Sequence, residues 1–100
     1  MYERISVLAY LELFIGDNMR ITPITNGYRP VFKFEAANTG ISGKIDLIDM
    51  GSLLPGTSAI VRVTFLKGII SDDYFKQGVP FRISEGGKHD LGKGQIVEVI

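Results

Sequence analysis

The sequence predicts an all-β protein with a single domain that spans residues 1–100. Apolar and polar residues alternate with a period of two along several short segments, which is typical of strands with one buried face. Turn-forming residues separate these segments at regular intervals, and no window of about 11 residues or more has the spacing and caps of an amphipathic helix. The pattern fits a barrel or a sandwich. A closed barrel is favoured because closure removes exposed strand edges.

Roughly six strands follow from the alternation, taken in chain order. The first segment places apolar residues on one face from Ile5 to Leu13, although Ile5, Leu8 and Leu11 also line up at helical spacing. The later strands are centred on Phe32 and Phe34, on Ile45 and Leu47, on Ala59 to Phe65, on Phe81 and Ile83, and on the closing segment QIVEVI. Turn signals between them are Gly16-Asp17-Asn18, Asn26-Gly27, Asn38-Thr39-Gly40, Pro55-Gly56, Gly78 and Gly86-Gly87.

The composition excludes several classes of function. Formal net charge is zero and the isoelectric point is about 6.6, so no overall basic field drives binding to nucleic acid or membranes. The absence of cysteine excludes disulfides, a thiolate nucleophile and cysteine-ligated zinc, and favours a cytoplasmic location. The apolar run from Ile5 to Ile15 is interrupted by Glu12, lacks a basic region before it and is too short to cross a bilayer.

Four motifs occur in a characteristic order: GDNMRITP at 16–23, GYRPVFKF at 27–34, LLPG at 53–56 and GVPFRISEGGKHDLGKG at 78–94. Together they resemble the third, C-terminal β-barrel domain of bacterial translation elongation factor Tu, over nearly the whole chain. The resemblance implies a six-stranded, closed, antiparallel Greek-key barrel. In the GYRP corner, Gly27 admits a positive φ and Pro30 fixes φ where a strand begins. Tyr28 and Arg29 are expected to pack and tie down that corner, and Arg29 is also a candidate contact for RNA or a partner.

The resemblance also implies what this chain lacks. We expect the protein to lack the GTPase domain of the family and its second barrel, because residues 1–100 match neither. The segment GKHDLGKG at 87–94 imitates a phosphate loop, but Gly94 stands where Ser or Thr would hold magnesium, and a strand follows instead of a helix. We interpret it as a glycine-rich β turn and expect no nucleotide and no cofactor.

In the family, this barrel contacts the T-stem backbone of aminoacyl-tRNA. Arg20, Glu85 and Gly86 match family residues at that surface. Polar family residues are replaced here by Ile21, Val31, Ser84, Ala36 and Ala37. Each replacement removes a group that could reach phosphate or a 2′-hydroxyl. If the chain binds tRNA or another structured RNA, Arg20, Lys88 and Lys93 in the basic turns are the expected contacts.

We expect no enzyme activity. His89 is the only histidine and adjoins Asp90, but neighbouring side chains seldom converge, and no nucleophile is marked. Asp72 and Asp73 lack further acidic ligands at calcium-loop spacing, so we interpret them as a capped turn without metal.

Two classes of function remain open: a protein-interaction module, with a protein partner or a homo-oligomer, and an RNA-binding accessory of translation. For protein contact, one of Tyr74 and Phe75 is expected to be exposed in its loop as an anchor. Val31, Ile21 and Ile24 are expected to form an apolar docking patch.

Overall fold

The computed structural model describes residues 3–15, 22–35, 37, 40–85 and 89–100. The strands are β1 (Arg4–Leu13), β2 (Val31–Phe34), β3 (Ile41–Leu47), β4 (Ser58–Leu66), β5 (Pro80–Glu85) and β6 (His89–Val99), and a short 3-10 helix spans Asp72–Tyr74. The strands close into an antiparallel barrel in the order β1-β4-β3-β2-β5-β6, so each strand is paired on both sides. The predicted six-stranded closed barrel is confirmed. Its Greek-key order is confirmed too, because β5 lies beside β2 of the consecutive β2-β3-β4 meander.

Alternation along the strands determines which side chains fill the barrel. On β1, Val7, Ala9, Leu11 and Leu13 are buried, which confirms a strand and excludes the helical interpretation of this segment. The same alternation is found on β4, where Val61, Val63 and Phe65 are buried. The aromatic core is formed by Phe32, Phe34, Phe65, Phe75 and Phe81.

The seam between β1 and β6 depends on a glycine. Gly94 lies opposite Leu11, and a Cβ placed on Gly94 would stand 1.8 Å from the carbonyl oxygen of Tyr10. Any side chain at this position would push the two strands apart, so the close approach requires glycine.

Both ends of the barrel are covered by connecting segments. At the upper end, where β1 ends, Ile24 and Leu53 are buried and form an antiparallel bridge. At the lower end, where β4 ends, the 3-10 helix brings Phe75 against the aromatic core, with its ring 5.0 Å from that of Phe65. Ser71 caps this helix by accepting a hydrogen bond from the amide of Asp73. With the interior filled, contacts with other molecules fall to the outer wall and the barrel ends.

Candidate interaction surfaces

The GYRP corner leads into β2, as the sequence predicts. Gly27 has a φ of 88°, and its amide donates a hydrogen bond of 2.8 Å to the carbonyl of Ile45. The Ile45 amide donates in turn to the carbonyl of Tyr28, and Pro30 is buried directly before the strand. Backbone hydrogen bonds to β3 and the burial of Pro30 therefore hold the corner.

Arg29 does not tie the corner down, which corrects the expectation from the sequence. Its side chain is exposed and, within the described ranges, makes no hydrogen bond or ion pair. Tyr28 does anchor the corner, because its hydroxyl donates a hydrogen bond to the Glu85 carboxylate. Glu85 is exposed at the end of β5, and its carboxylate is already bound by the hydroxyl of Tyr28.

The proposed contact residues after β4 have different environments. Phe75 is 2% exposed, so it is a core residue and the expectation that it contacts a partner is wrong. Tyr74 is half-buried, with its ring 5.6 Å from that of Phe34. The sequence did not distinguish them because an irregular segment has no period that assigns a side chain to the core.

The apolar docking patch expected near Val31 does not form as described. Ile24 is fully buried beneath the upper end. Val31 is half-buried on β2, where it lies opposite the buried Ser84 of β5. Ile21 lies outside the described residues.

Three of the expected RNA or partner contacts, Arg20, Gly86 and Lys88, also lie outside the described residues. Lys93 is exposed, but it belongs to β6 and not to a turn. The interpretation of 87–94 as a glycine-rich turn is therefore wrong for residues 89–94, which form the first half of that strand. The segment remains unlike a phosphate loop, since no helix follows it.

The strand register brings three cations into one row on the outer wall. Lys33 on β2 lies opposite Arg82 on β5, and Arg82 lies opposite Lys93 on β6. Asp90 pairs with both Lys33, at 2.5 Å, and Arg82, at 3.5 Å. We call these three cations the cationic row. They line a groove of about 420 Å³ together with Glu35.

A second groove, of about 320 Å³, lies on the wall formed by β1, β4 and β3. Arg4, Arg29 and Lys44 line it, along with Ser42 and Thr64. We call it the arginine groove. Its remaining lining residues are Phe65, Leu66 and Ile69, so no carboxylate lines it within the described part of the chain.

The same wall carries an apolar row that the sequence analysis missed. Tyr10 on β1 lies directly opposite Ile60 on β4, and both side chains point outward. Ile48 follows the last paired residue of β3 and continues the row by one position. The three side chains are 40–41% exposed. A signal was available, because Tyr10 and Ile60 occupy the outward, mostly polar face of their strands.

Among the described residues, His89 and Asp90 do not converge and no cluster of metal ligands forms. His89 and Asp90 are consecutive on β6, so their side chains leave opposite faces of the strand. Within residues 3–15, 22–35, 37, 40–85 and 89–100, no three His, Asp or Glu side chains converge to hold a metal ion. No helix in the same ranges is long and apolar enough to cross a membrane.

Comparison with known proteins adds a negative finding: no protein-family model matches this chain.

Proposed function

We propose that this chain is a barrel related to the third domain of elongation factor Tu, and that it is a non-catalytic, cytoplasmic module that acts through protein–protein contacts. The ordered motifs around the GYRP corner support the relationship, and the absence of cysteine supports the location. Strand addition is not available to a partner in a closed barrel, because every strand is already paired on both sides. The contact therefore uses side chains on the outer wall or at the barrel ends.

The observation that carries this proposal is the apolar row Tyr10, Ile60 and Ile48. These side chains come from three adjacent positions across the wall and keep about two-fifths of their surface in water. Burial of apolar surface stabilises association by about 25 cal/mol per Å² before ordering costs are subtracted. Tyrosine at one end adds a rigid aromatic group, the residue type enriched at interaction hot spots.

A second copy of this chain is the occupant that the flanking charges favour. The next row along the wall carries Arg62 on β4 opposite Asp46 on β3. A twofold contact is self-complementary, so a surface with both signs beside an apolar strip can pair with itself. Arg62 makes no ion pair in the described part of the chain, and a copy related by a twofold axis would supply it with a carboxylate.

Sizing by light scattering over a range of protein concentrations tests the proposal, with Ile60→Glu as the disrupting variant. A carboxylate buried in the row costs about 2 kcal/mol or more, which weakens self-association by roughly 30-fold. Val99→Glu is the matched control, because Val99 is 43% exposed and lies outside the row. A wild-type chain that stays monomeric throughout, or a control variant that dissociates as readily as Ile60→Glu, would contradict the contact through this row.

The alternative function is an RNA-binding accessory of translation, and the cationic row is the observation that favours it. Lys33, Arg82 and Lys93 present a line of charge of the kind that follows a phosphate backbone. Asp90 and Glu12 oppose this, since they pair with the three cations at 2.5–4.0 Å. Titration with tRNA across a salt series separates the functions, because phosphate contacts make affinity fall steeply with salt. Strong, salt-dependent tRNA affinity that Arg82→Ala weakens would replace the protein-contact function.

A further inference from the structure

We infer that the arginine groove binds the phosphate group of a small phosphomonoester. This site is distinct from the apolar row and from the cationic row, so the inference does not depend on the proposed self-association. It joins residues far apart in the sequence: Arg4 at the start of β1, Arg29 before β2 and Lys44 in the middle of β3.

The register of the wall explains how these residues meet. Arg4 lies opposite Leu66 on β4, and Lys44 lies opposite Thr64, two residues earlier on that strand. Tyr28 bridges Ile45, so Arg29, one residue later, falls opposite Lys44. Neighbouring strands are about 4.8 Å apart, and Arg4 and Arg29 line the groove from the two sides of the β4–β3 pair. The cations therefore lie at the sides of the groove, and the β3–β4 pair forms its base.

The electrostatics of the groove favour an anion. Like charges directly opposite each other on adjacent strands are destabilising, and Arg29 and Lys44 are placed in this way. Lys44 pairs with Asp46 at 3.6 Å, whereas Arg4 and Arg29 make no ion pair within the residues that the structure describes. The cationic row differs in this respect, because Asp90 bridges two of its three members. Of the two grooves, the arginine groove therefore leaves more positive charge uncompensated for a ligand.

The lining also indicates the class of anion. Guanidinium groups present paired donors in a planar fork that matches the oxygens of phosphate. Ser42 also lines the groove, and the hydroxyl of Thr64 shares a hydrogen bond of 3.2 Å with that of Ser6. Leu66 and the 53% exposed Ile69 add an apolar edge, which suits the carbon body of a phosphomonoester better than a bare ion. The volume of about 320 Å³ accommodates a small molecule of this kind.

Amide chemical-shift titration by NMR tests the site with phenyl phosphate as the probe and phenol as its uncharged counterpart. Phenyl phosphate is expected to give saturable shifts at Ser42, Lys44 and Thr64 at millimolar concentration, and phenol is expected to give none. Arg29→Gln is expected to weaken binding about tenfold, the effect of losing one charge-assisted pair. Lys76→Gln is the matched control, since Lys76 is an exposed cation that does not line the groove. It is expected to leave the affinity within about twofold of the wild type.

Three results would overturn the inference. Shifts that do not saturate would show no site. An equal loss of affinity in Lys76→Gln and Arg29→Gln would indicate a diffuse response to charge. Binding of an RNA oligonucleotide through these residues without binding of phenyl phosphate would assign the groove to a nucleic-acid backbone. Ile60→Glu, which separates the two proposals, is expected to bind phenyl phosphate with unchanged affinity, and loss of binding in that variant would contradict the independence of the site.

Discussion

Phe75 closes the lower end of the barrel, and Phe75→Ala tests that closure. The side chain is 2% exposed, and its ring centroid lies 5.0 Å from that of Phe65 and 6.1 Å from that of Phe34. Truncation of a buried phenylalanine costs about 3–5 kcal/mol, including aromatic pairs worth about 0.5–1.5 kcal/mol each. Because small domains are stable by about 5–15 kcal/mol, this variant loses a large part of the total. In urea denaturation the midpoint is expected to fall by on the order of 2 M.

Two companion variants locate the effect of that substitution. Phe75→Leu retains most of the apolar volume and is expected to lose about half as much stability or less. Lys76→Ala alters an exposed neighbour in the same segment and is expected to change stability by about 0.5 kcal/mol or less. If Phe75→Ala loses less than about 1 kcal/mol with an unchanged denaturant slope, this ring does not contribute to the core as described.

Two further predictions concern the pairing of β1 with β6 and the 3-10 helix at the lower end of the barrel. Gly94→Ala places a Cβ 1.8 Å from the Tyr10 carbonyl oxygen, so it is expected to destabilise the barrel by about 2 kcal/mol. Hydrogen exchange along β1 and β6 is expected to become faster. A variant as stable as the wild type would contradict the close approach of the two strands. The hydrogen bond and charge of Lys76, together with a hydrogen bond from Ser71, lower the pKa of Asp73 from its ordinary 3.8. The ionised Asp73 therefore stabilises the folded state at neutral pH, and this stabilisation is lost as the pH falls through the lowered pKa. Lys76→Met is expected to raise the pKa of Asp73 toward 3.8 in an NMR titration, and an unchanged pKa would show that Lys76 does not interact with it in solution.

The barrel was predictable from the sequence because its core obeys a local rule. Apolar and polar residues alternate within each core strand. The burial of Val61, Val63 and Phe65 could therefore be predicted without knowledge of the neighbouring strands. Strand closure followed from the physical cost of open edges, and the Greek-key order followed from the resemblance around the GYRP corner. The Gly27 conformation could also be predicted, since a turn with positive φ favours glycine.

The surfaces were less predictable because they depend on which strands are neighbours. Arg4 and Lys44 are separated by most of the first half of the chain, and only the β1-β4-β3 order brings them to one groove. Phe75 is buried by tertiary packing in a segment that has no period. Lys93 was assigned to a turn because glycines surround it, but Gly92 and Gly94 are present where β6 approaches β1 closely, and the strand continues through them.

The outer wall of β1, β4 and β3 combines two chemistries in successive rows. Thr64 borders the arginine groove and Ile60 lies in the apolar row, with Arg62 halfway between them on the same strand. Four residues of strand span about 13 Å, more than a Debye length at physiological salt. A partner centred on the apolar row therefore adds little to the electrostatic field of the groove. Strand register also explains why a net charge of zero does not reveal the cationic row: Lys33, Arg82 and Lys93 meet only because β2, β5 and β6 are neighbours, and an average over the whole sequence removes that order.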